Sequence, residues 1–183
     1  MPLLRTERLD LVPGTAEQLN AELESQEALS RTLNATVPPG WPPEFYDADA
    51  VRYVLAKIES GNYDESWGFY YLLLRPDTSQ SGRVLVGAGG FKGEPDTNGE
   101  VELGYAIVPE YQRRGYATEA VRGWSKFAFR DPRVTTVVGQ TLEGLTRSIG
   151  VMEKAGFQFA GAGDDPYAPP GEKVVRYALR RAD

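Results

Sequence analysis

Runs of alternating and helix-periodic apolar residues divide this chain into short strands and amphipathic helices, separated by turns of Pro, Gly, Asp and Asn. Arg8-Leu-Asp-Leu-Val-Pro13 alternates apolar and polar positions and stops at a proline, which predicts a first strand. Thr15 and Gln18 then stand at capping-box spacing, and Leu19, Leu23 and Ala28 carry a first helix. After the rigid segment Thr36-Val-Pro-Pro-Gly-Trp-Pro-Pro43, the positions of Val51, Val54, Leu55 and Ile58 predict a second helix. Trp67 to Arg75 is nearly all apolar or aromatic and reads as a buried strand. Pro76 to Gly82 turns into the next strand, Arg83 to Lys92, and Gly93 to Gly99 turns into a third, Glu100 to Val108. Three strands joined by short turns make a meander. A third helix follows on Ala117, Ala120, Val121, Trp124, Phe127 and Ala128, a stripe that reads as core packing. Asp131-Pro132 stops it, and β-branched Val134 to Val138 reads as a strand. Leu145, Ile149 and Met152 mark a short helix ending before Gly156. Phe157 to Ala160 and Val174 to Ala178 then flank a Gly/Pro/Asp loop from Gly161 to Gly171 as a closing hairpin. The order of elements is that of an α+β domain with a mixed sheet.

Composition narrows what such a domain can do. At 183 residues, with 41% hydrophobic and 25% charged residues, the chain suits one globular domain. No window is apolar enough to span a bilayer, and the N-terminal residues lack the apolar core of a signal peptide, so a cytoplasmic protein without a membrane partner is expected. Cysteine and histidine are both absent, which removes disulfides, thiolate nucleophiles, the usual zinc ligands and the Ser-His-Asp arrangement. Proton transfer is left to Glu, Asp, Tyr, Ser, Lys, backbone or water. A net charge of −6 argues against nucleic acid as a partner, because a basic face is needed to displace counterions from phosphates.

The stretch that carries chemistry is Val108-Pro-Glu-Tyr-Gln-Arg-Arg-Gly-Tyr-Ala-Thr-Glu-Ala120. It reads as a strand end, a tight loop with two arginines and a glycine, and the first turn of a helix. Unpaired amides at a helix start, together with the macrodipole, attract an anion such as phosphate. Gly115 lets the backbone turn sharply and lets a ligand approach closely. Trp41, in its proline-rich segment, either tucks over the core or forms one wall of a substrate pocket.

These motifs, in this order, resemble the GNAT superfamily of acyl-CoA-dependent N-acetyltransferases. Gln112-Arg-Arg-Gly-Tyr-Ala117 resembles the loop that holds the coenzyme A pyrophosphate. Glu102-Leu-Gly-Tyr-Ala-Ile-Val-Pro-Glu110 resembles the strand entering it, and Ser148-Ile-Gly-Val-Met-Glu-Lys-Ala-Gly-Phe157 the C-terminal helix-to-strand junction. Thr6-Glu-Arg-Leu-Asp-Leu11 is similar to the opening of the ribosomal-protein N-acetyltransferase branch. The resemblance spans essentially the whole chain. It implies a central mixed, mostly antiparallel sheet of about seven strands flanked by about four helices, with a splay between the strand ending near Ile107 and the strand starting near Val134.

The resemblance further implies acetyl-CoA as acyl donor, a primary amine as acceptor and no metal. Ala106, Ile107 and Val108 would pair with the pantetheine arm as a strand does. The amides from Arg113 to Thr118, with Arg113, Arg114, Gly115, Tyr116 and Ala117 among them, would hold the pyrophosphate. Glu102 is the first candidate for the base, matching a carboxylate used so in the family, with Glu100 as the alternate on the same strand face. Glu100, Glu102, Asp164 and Asp165 could receive a cationic acceptor. A backbone N–H near Ile107 or Val108 would meet the oxyanion. Many members use a Tyr where this chain has Met152; in the ribosomal-protein branch a Ser at the position of Ser148 assists instead. Leu145 stands where that branch has Asn. These two departures keep open a second reading, a non-catalytic acyl-CoA-binding or regulatory module of the same fold. Homodimers are common in the family, while no isolated apolar stripe in this chain demands one.

Overall fold

The computed structural model describes residues 3–61, 63–78, 81–166 and 168–182. Residues 79 and 80 of the predicted turn after Pro76, and residue 167 of the Gly161–Gly171 loop, lie outside them. Among the described residues one sheet holds eight strands: β1 (Leu4–Arg5), β2 (Leu9–Pro13), β3 (Phe69–Leu74), β4 (Val84–Phe91), β5 (Glu100–Ile107), β6 (Thr136–Leu142), β7 (Gln158–Ala162) and β8 (Val174–Arg180). Five α-helices accompany them: α1 (Ala16–Glu24), α2 (Gln26–Leu33), α3 (Ala48–Glu59), α4 (Tyr116–Ala128) and α5 (Thr146–Lys154). The sheet order is β1-β2-β3-β4-β5-β6-β8-β7, antiparallel except for the β5–β6 pair. The mixed, mostly antiparallel α+β architecture expected from the sequence is therefore present.

The local signals act where the sequence places them. Thr15 and Gln18 form the reciprocal capping box at the start of α1. The count of helices differs because Ser25, extended at φ −169, ends α1 and caps α2 with its side chain on Ala28 N–H. The additional strand is β1, two residues too short to show a period, which pairs with β2 through Leu4 and Leu11.

Helices cover both faces. On one, Trp124, Val121 and Ala120 of α4 and Met152 of α5 pack against Leu9, Leu11, Tyr70, Val101 and Leu103. On the other, Leu19, Leu29 and Val51 of α1 to α3 pack against Tyr71, Leu73, Leu85 and Ala88. This is why every residue of β3 is buried and its sequence shows no alternation. Strand β4 takes glycine where α4 and β5 crowd it: a Cβ on Gly89 would stand 2.4 Å from Gly104 O and 2.8 Å from the Trp124 ring. No helix among the described residues is long and apolar enough to cross a membrane.

Candidate functional site

The site begins where two parallel strands part. β5 and β6 pair only from Glu100↔Thr136 to Leu103↔Gly139. Beyond that point β5 stays with β4 as far as Gly87↔Ile107, and β6 stays with β8 as far as Leu142↔Val174. A wedge opens between Gly104–Ile107 and the end of β6. Hydrogen-bond parity decides which backbone groups face it. Val108 N–H donates to Val86 O (3.0 Å) and Lys92 N–H to Glu102 O (2.9 Å), so the even-numbered residues of β5 turn their peptide groups toward β4. The odd-numbered Tyr105 and Ile107 therefore face the wedge. Of the three residues expected to meet a pantetheine arm, Ile107 has the right orientation. Ala106 and Val108 are turned away, and the Val108 amide is committed to β4.

The wedge leads into the glycine loop. Arg113 (φ 62) and Gly115 (φ 84) both take the left-handed conformation, which curls the backbone before α4. Gly115 is the N-cap of α4 and no side chain caps the helix, so its first amides have no side-chain acceptor. Arg113 and Arg114 are exposed, and the Arg114 guanidinium sits 5.3 Å from the Tyr111 ring centroid. Tyr116 is buried under Arg8, whose guanidinium lies 4.6 Å from its ring centroid. Arg8 also donates to Arg114 O (3.0 Å) and pairs with Glu119 (2.7 Å), which clamps the loop from the N-terminal strands. Across the mouth, Gln112 donates to Ile107 O (3.0 Å) and accepts from Arg147 of α5 (3.0 Å).

A polar cluster fills the closed end of the wedge. Glu102 Oε1 is buried and met by Lys92 Nζ at 2.5 Å, as an ion pair rather than an aligned hydrogen bond. Glu102 Oε2 accepts from Gln140 Nε2 (3.1 Å), and Gln140 Oε1 in turn accepts the Asp164 amide (2.7 Å). Asp165 stands 3.9 Å from Lys92 Nζ. The fold thus brings the β7–β8 loop to Glu102. Glu100, two residues earlier on the same face, is held by Arg176 (2.5 Å).

On the opposite face of β5, Tyr105 Oη donates to Ser148 O (3.0 Å) and lies 3.2 Å from Ser148 Oγ. Burial pushes this phenol up to about 12, against the opposing effect of its Ser148 bond, so it remains a donor at neutral pH. Met152, one turn further along α5, is 1% exposed and packs on Gly139, with Sδ 2.8 Å from where a Cβ would stand. Met152 is core, and Ser148 carries the hydroxyl of this helix face.

Trp41 is 5% exposed. Its indole N–H donates to Glu22 (2.8 Å), which also accepts from Tyr46 (2.9 Å) and Tyr71 (2.6 Å). The ring sits in the core, the first of the two positions its sequence allows, and it fixes the proline-rich loop over α1 rather than presenting an open face. Lys92, Gln140 and Tyr105 were not singled out from the sequence. Lys92 could have been found, since a hairpin centred on Asp96–Asn98 sets it opposite Glu102; Gln140 and Tyr105 gain their partners only through packing between elements distant in the chain.

A wedge between parallel strands that opens onto an uncapped, positively curled helix start suits an extended ligand with a phosphorylated end. The sequence model of the acetyltransferase (GNAT) domain matches residues 8–158. The chain belongs to this GNAT acetyltransferase family. It is 28% identical over 159 residues, 86% of this chain and 90% of the relative, to a Bacillus subtilis protein named uncharacterized N-acetyltransferase YjdG. Among solved structures it is similar to RimL, a ribosomal alpha-N-protein acetyltransferase in complex with coenzyme A (TM-score 0.68, 15% identity, 98% of both chains). It is also similar to the self immunity acetyltransferase MccE in complex with acetyl-CoA and AMP (TM-score 0.62, 11% identity, 96% of this chain and 93% of that one). At these identities the structural likeness speaks for the GNAT fold.

Proposed function

We propose that this GNAT protein transfers an acetyl group from acetyl-CoA to a primary amine, either a protein N-terminus or a small molecule, by direct attack within a ternary complex in the cytoplasm. The observation that carries this reading is the wedge itself: backbone groups of Tyr105 and Ile107 facing an opening that runs from the uncapped start of α4 down to Glu102. The amides from Arg113 to Thr118 hold the pyrophosphate, with the two arginines adding charge. Ile107 offers its peptide group to the pantetheine arm, which enters as a partial strand. Gln112, which donates to Ile107 O, gives way when the arm pairs there.

An amine with a pKa of about 10 attacks only after losing a proton. Glu102 takes that proton directly or through water. The acidic loop at Asp164 and Asp165, brought close by Gln140, favours a cationic acceptor. The Tyr105 amide, turned toward the wedge beside Gly104, stabilises the oxyanion, because Ile107 serves the arm and the Val108 amide is already bonded to Val86. Ser148, oriented by Tyr105, faces the departing thiolate. Thiolates leave readily, so a hydroxyl donor suffices where a phenol is lacking at Met152.

The buried Met152 favours a second reading, a module that binds acyl-CoA without turnover. One assay separates the two. Acetyl-CoA consumption is followed over amines, peptides and intact basic proteins, beside a calorimetric titration of coenzyme. Turnover with any acceptor supports the transferase; tight binding with no turnover across the panel supports the module. Gly115→Val, which forces a branched side chain into a backbone at φ 84 and toward Arg8 Nη2 3.3 Å from the Cβ position, is expected to abolish coenzyme binding. Retained affinity in that variant would mean that the ligand binds elsewhere.

A further inference from the structure

We infer that Lys92 is itself an acetyl acceptor, so that the protein acetylates its own side chain in cis; this rests on reading the wedge as the acetyl-CoA site. Lys92 follows the last residue of β4, and its amide bonds Glu102 O (2.9 Å). Its neighbour Phe91 packs into the α4 face of the sheet, so the Lys92 side chain projects to the other face, beside Glu102. The ammonium lies 2.5 Å from Glu102 Oε1, yet the side chain is 49% exposed, which keeps it accessible.

Its path passes over a glycine. Among the described residues, the one atom outside the adjoining chain within 4 Å of a Cβ built on Gly104 is Lys92 Cε, at 3.9 Å. Gly104 is the first residue of β5 past its last pair with β6. The direction of the bound donor follows from the strand. With the pyrophosphate at the start of α4, beyond the C-terminal end of β5, the arm runs back along Ile107 and Tyr105, and its acyl end arrives at Gly104. A primary amine, a carboxylate able to take its proton, and the acyl carbon therefore meet at one place.

The step balances without another reactant. The Lys92 ammonium gives a proton to Glu102, and the free amine forms a C–N bond to the acetyl carbon. The C–S bond breaks, and the thiolate leaves to be protonated as free coenzyme A. Acetylation also removes the cation that pairs with Glu102 and so releases that carboxylate to serve an incoming amine.

The test uses the full chain incubated with acetyl-CoA carrying a labelled acetyl group, peptide mapping of every lysine, and a parallel titration of coenzyme binding. Lys92 is expected to label about tenfold or more faster than Lys57, Lys126, Lys154 and Lys173, at a rate independent of protein concentration, because the amine is held at the reacting centre. Glu102→Gln should retain coenzyme binding and lose the excess at Lys92, whereas Lys92→Arg should lose that one label and keep the slow background elsewhere. Coenzyme binding with Lys92 labelled no faster than the other lysines overturns self-acetylation and leaves the donor site standing. Labelling of Lys92 whose rate rises with protein concentration also overturns the cis reaction. Failure of the coenzyme to bind at all overturns the reading of the wedge and the inference with it.

Discussion

Glu119→Gln tests how the loop before α4 is held in place. Glu119 sits in the first turn of α4 and accepts from Thr6 Oγ1 (2.5 Å), Arg8 N (2.6 Å) and Arg8 Nε (2.7 Å), with its side chain only 11% exposed. Arg8 passes the constraint on, because it also donates to Arg114 O (3.0 Å) and covers Tyr116. Burial alone would push this carboxyl up, but the bonds from Thr6 and Arg8 outweigh it and hold it below the ordinary value of 4.5. Gln keeps the volume and one accepting oxygen and loses the charge. A hydrogen bond to a charged group contributes about 1.5–3 kcal/mol. Arg8 is 41% exposed, and solvent screening brings the expected loss down to about 1–2 kcal/mol. For a chain of this size that corresponds to a melting midpoint lower by roughly 2–8 °C at pH 7. The sign with pH follows from the depressed value: the stabilisation is fully present above the unfolded-state value and is lost as pH falls through the folded-state value. Thermal unfolding by circular dichroism at pH 7, and again about one unit below the ordinary carboxylate value, reads both effects. Equal midpoints at pH 7, or a deficit as large in acid as at neutrality, would refute the assigned role.

Three further outcomes are expected. Glu22 behaves oppositely: burial raises its carboxyl above the ordinary 4.5, against the bonds from Tyr71, Tyr46 and Trp41, so its contribution is present at low pH and lost as pH rises through the folded value. Glu22→Gln should therefore gain stability relative to the parent as pH rises from 4.5 toward neutrality, and a flat difference in denaturation midpoint across that range would contradict this. Leu145 is the N-cap of α5 and supplies no side-chain acceptor; Leu145→Asn should raise stability by about 1 kcal/mol at unchanged m-value in urea unfolding, and no gain would show that the helix start is satisfied otherwise. Tyr105→Phe removes the hydroxyl bonded to Ser148, and kcat should fall about tenfold while coenzyme affinity stays within about twofold. A matching loss of affinity would make Tyr105 a packing residue only.

Much of the fold and the loop before α4 was legible because the signals are local. Capping at Thr15 and Gln18, the apolar stripe of α4 and the glycine that turns into it each act within a few residues. The turn at Asp96 to Gly99 even implied which residues of β4 and β5 stand opposite each other. Other features were hidden for identifiable reasons. Ser25 splits one predicted helix by a side-chain cap that competes with a continuous apolar stripe. Trp41 could lie inside or outside until Glu22, Tyr46 and Tyr71 supplied it with partners in the core. Val108 resembled a ligand contact in sequence, and only the parity of the β4–β5 ladder showed its amide to be spent on Val86.

By itself, the sequence determined the order of the elements, the mixed α+β class and a helix start led by a glycine, because periodicity, caps and glycine conformations are properties of neighbouring residues. It also excluded histidine and cysteine chemistry outright. The tertiary structure alone decided where β5 leaves β6, which of its peptide groups turn toward the opening, and that Gln140 and Asp164 converge on Glu102 while Tyr105 reaches Ser148. Those choices depend on strand register and on packing between residues 24 to 43 apart in sequence, and no local pattern encodes them.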